Sequence, residues 1–318
     1  MEKITLKDIK HQLAGCKVSH FLTCASFEDR SSSLVKVMLG QEIDDIGIFA
    51  TIDFAKEIEE SRNHMCHLLQ DYKVQKIDLK ISDPVFSFIN IVNYCVNIFV
   101  NEPVFLVLDI STFTHEHLLI LFRVIRDYKR ESDTVFVSYT SVQEYSYNIT
   151  EHTDKWLTKG VKELRSIIGF PGYFDPTRRN HLIILVGFEV ERVIKLIESF
   201  EFEMVTLIIG SSDNPMSINN QIINEHRYDQ ILTMYSHAKK MEVSLTNPQE
   251  VKTTILNYIK DFDDYNTVIA PMNNKISTLG VGYAAMENTD IQLFYMQANI
   301  YNTEGYSKSE DCFYLGKL

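Results

Sequence analysis

Charged and hydroxyl side chains follow two apolar runs in the first half of the chain. Glu28 and Arg30 lie three and five residues after the run His20–Ala25. Asp109 and Ser111 follow a second run of the same kind. An arginine can hold a phosphate through paired N–H donors, and carboxylates can orient that arginine or accept hydrogen bonds from ribose and base donors. These residue types therefore indicate an edge that binds a phosphorylated, nucleotide-like ligand.

The second half of the chain carries related residue types after its own apolar runs. Glu189 and Arg192 follow the run His181–Val186, and Lys275 and Ser277 follow a later one. A structural interpretation is also open, in which Glu28–Arg30 and Glu189–Arg192 are ion pairs that lock the two halves together. On that interpretation Ser111, Thr112 and Ser277 are helix N-caps, because serine and threonine are favoured there.

The two halves also match each other along the sequence, which predicts an internal repeat. The matched residues of the first and fifth predicted strands keep a constant offset within each strand: His20 with His181, Phe27 with Phe188, Glu28 with Glu189, Tyr139 with Tyr295, and Tyr145 with Tyr301. At the fourth strand, Asp109–Thr112 is matched to Lys275–Thr278. Each copy is predicted to begin with an apolar strand, followed by a polar turn and an amphipathic helix.

The elements that must position these residues alternate between strand and helix. The strands are continuous apolar runs, which are typical of a parallel sheet covered by helices on both faces. We predict an α/β fold with an N-terminal helix in residues 1–17, a first Rossmann-like unit in 18–149 and a second in 180–318. Residues 150–179 are predicted to connect the units, with a helix near Val161–Ile168. The tail is predicted to add an edge strand at Cys312–Leu315.

The strand order predicted for each unit locates the binding edge. In an open parallel sheet of order 3-2-1-4-5, ligands bind at the carboxyl ends of the strands, where the order reverses between strands one and four. The predicted ligand-facing residues all follow strands one and four: Glu28, Arg30, Asp109 and Ser111 in the first half, and Glu189, Arg192, Lys275 and Ser277 in the second.

Composition narrows the classes of function. The 318 residues carry a net charge of −12, which argues against a nucleic-acid-binding surface. The five cysteines are spread out with no C-x-x-C pair, which favours a reducing cytoplasm and neither a disulfide framework nor a zinc site. The most apolar region is broken by asparagines, so no membrane span is expected. No metal or other cofactor is predicted.

The tandem of two Rossmann-like units resembles the architecture of SAVED proteins and of a fused pair of CARF domains. The resemblance spans about residues 18–307. Those families sense cyclic nucleotide second messengers in prokaryotic antiviral systems. The resemblance implies a nucleotide-like ligand between the two halves, a regulatory role, and a separate effector or complex partner protein.

Two other functions are compatible with the same residues. The first is an enzyme acting on a nucleotide or other phosphorylated substrate, with Asp109 or Glu28 as acid and base and with Arg30 or Lys275 holding the phosphate. The second is a structural subunit of a defence complex in which the sites have degenerated. The sequence contains no established catalytic motif, which favours binding over turnover.

Overall fold

The computed structural model describes residues 1–13, 16–100, 103–211 and 216–318. The chain forms two compact units. The first consists of Met1–Glu144 together with Thr303–Leu318, and the second of Tyr145–Asn302. Each unit contains one sheet of mostly parallel strands with helices, which confirms the predicted α/β fold class.

The elements are numbered in chain order. The strands are β1 (Glu2–Thr5), β2 (Val18–Ala25), β3 (Ile43–Thr51), β4 (Val74–Leu79), β5 (Phe105–Asp109), β6 (Thr134–Tyr145), β7 (Thr158–Pro171), β8 (Arg179–Leu185), β9 (Met204–Gly210), β10 (Lys239–Val243), β11 (Tyr265–Pro271), β12 (Gln292–Tyr301) and β13 (Ser307–Lys317). The helices are α1 (Leu6–Leu13), α2 (Ser33–Met38), α3 (Ala55–Leu68), α4 (Pro84–Cys95), α5 (His115–Tyr128), α6 (Val190–Glu198), α7 (Ile218–Met234), α8 (Pro248–Ile259) and α9 (Lys275–Glu287).

The first sheet has the strand order β1-β13-β6-β5-β2-β3-β4. The five strands from β6 to β4 are parallel, and β2 lies between β3 and β5, where the order of the chain reverses. The core is built from the apolar faces of these strands and of the helices against them, with Phe21, Met38 and Ile46 fully buried. The carboxyl ends of β2 and β5 therefore meet at the switch point of this sheet.

The second sheet has the order β10-β9-β8-β11-β12-β7. Its first five strands are parallel, and β7 runs antiparallel to β12. Counted along the chain, the parallel strands of both sheets have the order 3-2-1-4-5. The strands β2 and β8, which contain the matched histidines His20 and His181, hold the same central position. The descent of both units from one duplicated sequence stays a prediction, and the shared strand order supports it.

Two segments, β7 and the tail, differ from the sequence-based prediction. Residues 158–171, which include the predicted helix near Val161–Ile168, form the strand β7. The pairing of β7 with β12 contains two register irregularities, which break the alternation of side chains that would mark a strand. The tail forms β13 in the first sheet, between β1 and β6, so β1 rather than the tail is the edge strand. Four successive buried residues, Cys312 to Leu315, fit an interior strand better than an edge.

The chain exchanges strands between its two sheets. β7 follows β6 along the chain but pairs with β12, and β13 follows β12 but neighbours β6. The strand that comes after the fifth parallel strand of each sheet thus completes the other sheet. In the ranges that the structure describes, every helix is too short or too polar to span a lipid bilayer.

Candidate functional site

In the first unit, Glu28 and Arg30 form a buried ion pair behind β2. The Arg30 Nε donates to the Glu28 carboxylate over 2.8 Å, and the two side chains are 3% and 8% exposed respectively. Arg30 also donates to the carbonyl of Thr140 at 3.0 Å and its guanidinium lies over the ring of Tyr139. The Ser307 hydroxyl donates to the same Glu28 oxygen at 2.6 Å. The pair therefore joins the loop after β2 to both β6 and β13.

In the second unit, Glu189 and Arg192 contact the corresponding strands, each through its own partners. The Glu189 carboxylate accepts from the backbone N–H groups of Leu157 at 3.0 Å and Thr158 at 2.8 Å. Arg192 donates to the carbonyl of Met296. Burial raises the pKa of the Glu189 carboxyl, opposed by the positive charge of Arg192 and by the two backbone donors. The loop after β8 is therefore tied to both β12 and the start of β7.

The two sets of contacts reach corresponding places in the two sheets. Thr140 follows the matched Tyr139 in β6, and Met296 follows the matched Tyr295 in β12. The glutamate holds the first residue of β13 in one unit and of β7 in the other. Each Glu–Arg motif thus fastens an exchanged strand to the sheet it completes. These contacts support a structural role for each motif within its own unit, and of the two predicted ion pairs the described residues show Glu28–Arg30 alone.

Asp109 lies in the interior, at the end of β5. It is 1% exposed, and its carboxylate accepts from the Ser111 N–H at 3.0 Å, the Ser111 hydroxyl at 2.5 Å and the Thr23 hydroxyl at 3.3 Å. Burial raises the pKa of Asp109 to about 6, although these donors and the charge of Arg30 oppose the rise. Ser111 in turn accepts from the Thr140 N–H at 2.8 Å. The pair Asp109–Ser111 cross-links β2, β5 and β6 below the surface.

At the switch point of the second sheet, the loop after β11 contacts the loop after β8. A Cβ atom on Gly187 would lie 2.0 Å from the Met272 carbonyl oxygen, so only a glycine allows the loops after β8 and β11 to approach this closely. The Asn273 side chain donates to the Val186 carbonyl at 2.5 Å across the same contact. The two loops therefore touch each other directly at this point.

Asn274, rather than Ser277, caps α9. The Asn274 side chain accepts from the Ser277 N–H at 2.8 Å, and the fully buried Ser277 hydroxyl donates to the Asn274 carbonyl at 2.9 Å. Lys275 is half-buried and is the first residue of α9. Its backbone N–H group belongs to the helix terminus, whose dipole favours an anion.

The sequence match between Asp109–Thr112 and Lys275–Thr278 is out of register in the structure. Asp109 is the last residue of β5, whereas Lys275 is the first residue of α9. The residue that corresponds in position to Lys275 is His115, which begins α5 behind the N-cap Thr114. Sequence reasoning missed this correspondence because a threonine caps one helix and an asparagine the other. The signal that could have found it is the capping position itself, directly before each helix.

A cavity of about 500 Å³ lies in the second unit at the opposite edge of the sheet, beside the amino ends of β11 and β12. Sequence reasoning did not anticipate it. Its lining combines aromatic, basic, acidic and amide side chains, among them Tyr173, Arg178, Lys252, Phe262, Asp263, Tyr265, Glu287 and Asp290. Lys252 and Glu287 already form an ion pair at 2.9 Å. The predicted ligand-facing residues do not line this cavity.

In the described residues, neither a cluster of metal ligands nor a reactive thiol indicates a further site. No cluster of three or more histidine, cysteine or acidic side chains suited to a metal occurs in the part of the chain that the structure describes. Cys24 is 2% exposed at the end of β2, and its thiol lies 3.6 Å from the Ala25 carbonyl. A buried thiol of this kind packs as a small apolar side chain.

Comparison with known proteins identifies a fold and no family. No family model matches the sequence, and no curated protein matches it. A solved structure of a Type III CRISPR defence DNA nuclease activated by cyclic oligoadenylate is similar, with a TM-score of 0.54, 7% identity, and coverage of 92% of this chain and 67% of that one. At this identity the similarity concerns the fold alone.

Two methyltransferase structures are less similar to this chain than the nuclease is, as their lower TM-scores show. A SAM-dependent methyltransferase of Leishmania major matches with a TM-score of 0.26, 9% identity, and coverage of 44% of this chain and 51% of that one. A phosphoethanolamine N-methyltransferase of Haemonchus contortus matches with a TM-score of 0.27, 7% identity, and coverage of 84% and 71%. Neither similarity is strong enough to carry a functional argument.

Proposed function

We propose that this protein is a regulatory sensor that binds a nucleotide-like, phosphorylated ligand in antiviral defence. The observation that carries the proposal is the similarity in fold, over 92% of the chain, to a nuclease activated by cyclic oligoadenylate. Cyclic oligoadenylates are therefore the first ligands to test. Recognition of an oligoadenylate needs donors for phosphate together with groups that accept from the adenine amino group.

The carboxyl edge of each parallel sheet offers such donors. In each unit the helix after the fourth strand begins at the switch point, with His115 first in α5 and Lys275 first in α9. A helix N-terminus with a basic side chain favours a phosphate group. In this proposal His115 and Lys275 contact the ligand, and the buried Asp109, Ser111 and Ser277 hold the loops behind them.

The contacts of the acidic residues favour binding over turnover. An acid–base catalyst must reach the proton that it transfers. The carboxylates of Glu28 and Asp109 are buried and already accept two or three hydrogen bonds each. The pKa of about 6 would suit Asp109 to proton transfer near neutral pH, but its position does not. A sensor that acts on a separate effector protein fits this arrangement better than an enzyme.

The test is equilibrium binding by isothermal titration calorimetry. Cyclic oligoadenylates of several ring sizes are compared with linear oligoadenylates and with 3′,5′-cyclic AMP. Lys275→Ala and His115→Ala should each weaken binding by roughly tenfold or more, because each removes a hydrogen bond to a charged phosphate. Lys260→Ala is the matched control and should leave affinity unchanged, because this exposed residue follows the C-terminal end of α8 and lines the cavity at the amino edge of the sheet.

Two results would contradict the proposal. One is a folded wild-type protein that binds none of these nucleotides at concentrations of about 100 μM, well above the affinity expected of a sensor. The other is full retention of binding by the Lys275 and His115 variants. That result would mean that the ligand does not bind at the carboxyl edges of the sheets. Native mass spectrometry of protein purified from its host would identify a retained nucleotide of another class.

A further inference from the structure

The outer face of α4 carries an apolar stripe. Val85 is 55% exposed and Ile89 is 49% exposed, and Val92 and Val96 continue the stripe with partial exposure. The spacing of these four residues puts them on one face of the helix, over three successive turns. The opposite face of α4 packs inward through Ser87, Ile91 and Cys95, whereas the exposed Val85 and Ile89 lie outside the core of their own unit. An apolar surface of this kind marks a site of interaction.

The second unit contains a matched helix, α8. Each helix follows the third parallel strand of its sheet and packs against the helix after the fourth. Each begins with a side-chain N-cap and a proline, Asp83-Pro84 in α4 and Asn247-Pro248 in α8. Counted from those prolines, the buried positions coincide: Ser87 with Val251, Ile91 with Ile255, and Cys95 with Ile259. The two helices can therefore be compared position by position.

The outer faces of the two helices differ at the stripe. The positions of Val85, Ile89, Val92 and Val96 are occupied in α8 by Gln249, Thr253, Leu256 and Lys260. Three of the four are polar in α8, and those three are exposed. The helix at this position in the sheet topology can therefore have a polar outer face, as α8 does. The apolar residues of α4 are not required by the fold of the unit, which indicates that something covers them.

The distribution of charge favours a second copy of this chain as the partner that covers the apolar residues of α4. No charged residue occurs from Pro84 to Val100, although the chain as a whole carries a net charge of −12. Two copies of so acidic a protein repel each other wherever charged surfaces meet, and least where an uncharged surface meets itself. Asn93 lies exposed beside the stripe. Because an amide both donates and accepts hydrogen bonds, this residue can pair with its own copy.

We propose that α4 is a self-association surface, on which α4 of a second copy of this chain packs to form a two-fold dimer. A two-fold contact uses the same patch on both copies, which an uncharged apolar stripe satisfies without any complementary partner. The helix is about 18 Å long at 1.5 Å per residue, so the contact is smaller than the roughly 1,000 Å² expected of a stable interface. The dimer is therefore reversible, with a dissociation constant on the order of 10–100 μM. This inference does not depend on the proposed nucleotide ligand.

Sedimentation velocity of the full chain tests the proposal over about 1–300 μM, a range that brackets the expected dissociation constant. The wild-type sedimentation coefficient should rise with concentration toward that of a dimer. Replacing the stripe by the residues of α8, with Val85→Gln, Ile89→Thr and Val96→Lys together, should raise the dissociation constant at least roughly tenfold. Gln249→Ala with Thr253→Ala changes the matched exposed positions of α8 and should leave association unchanged.

Salt and folding controls complete the experiment. Raising the NaCl concentration to about 0.5 M screens the repulsion between acidic copies and should strengthen association. Thermal melting followed by circular dichroism checks that each variant is folded, and Ile89→Thr alone serves if the triple variant is not. A wild-type protein that stays monomeric at the highest concentration overturns the proposal, even if the stripe captures another protein. Unchanged association of the folded triple variant overturns it as well.

Discussion

The Glu28–Arg30 pair is buried, which makes either partner costly to remove. We predict that Arg30→Ala lowers the free energy of unfolding by about 3–5 kcal/mol, because it leaves the Glu28 carboxylate buried without its cation. Arg123→Ala is the matched control, since Arg123 and Asp127 form an ion pair with side chains that are 35% and 46% exposed. Its loss should cost less than about 1 kcal/mol. Urea unfolding measures both, and equal effects would refute the structural role of the buried pair.

The raised pKa of Asp109 predicts that its contribution to stability falls as the pH rises. Its pKa rises from 3.8 to about 6 in the folded protein, so the folded state retains a proton that the unfolded state releases between these values. The contribution of Asp109 to stability is therefore full below about pH 4 and is lost as the pH rises through about 6. The loss is at most about 3 kcal/mol.

The variant Asp109→Asn isolates this effect from that of other carboxylates. The amide keeps an acceptor for Ser111 and cannot ionise. We expect the difference in unfolding free energy between variant and wild type to shift in favour of the variant between pH 4.5 and 7.5, measured by urea unfolding. A constant difference over this range would show that Asp109 titrates as an ordinary carboxylate.

The site residues were only partly predictable from sequence. Glu28 follows β2 and Asp109 ends β5, close to their predicted places, because continuous apolar runs mark buried parallel strands clearly. Their partners were not predictable, since Ser307 lies far along the chain from Glu28 and meets it only through the exchange of strands. The correspondence of His115 with Lys275 was missed because loops of different sequence lead to the two helices.

At the scale of elements, the contact between the loops after β8 and β11 depends on one glycine. We predict that Gly187→Ala destabilises the protein by roughly 1–3 kcal/mol or more, because the new methyl group collides with the backbone at Met272. Gly316→Ala is the control, since the nearest atom to its new methyl group is the flexible Met1 side chain at 2.8 Å. Thermal melting of the two variants gives the comparison, and similar melting temperatures would contradict the prediction.

The elements themselves show why some predictions from sequence succeed. The parallel strands β2 and β8 and the alternation of strand and helix were predicted correctly, because each is a local pattern. The sequence pattern predicts a helix near Val161–Ile168, where the structure has β7, because apolar residues three apart resemble a helical face where bulges interrupt a strand. The place of the tail could not be read from the sequence at all, because two strands can become neighbours whatever their separation along the chain.

At the scale of the whole molecule, the tail is predicted to be essential to the first unit. Ending the chain at Asn302 removes β13, which lies between β1 and β6. Hydrogen exchange should then show loss of amide protection in β1 and β6, while β8, β9 and β11 keep theirs. Removing Leu318 alone is the control, and it should change little beyond the one hydrogen bond that the Leu318 N–H donates to the Val135 carbonyl of β6. Full protection of β6 in the shortened chain would contradict the exchanged arrangement.

The exchange of strands also bears on how the chain folds as it leaves the ribosome. Domains usually fold in the order of synthesis, from the N-terminus onward. Here the second unit is one continuous segment, Tyr145–Asn302, whereas the first unit needs residues from both ends of the chain. The unit whose synthesis begins first is therefore completed last. A ribosome stalled just after residue 302 has emerged would carry a finished second unit and a first unit still lacking one interior strand.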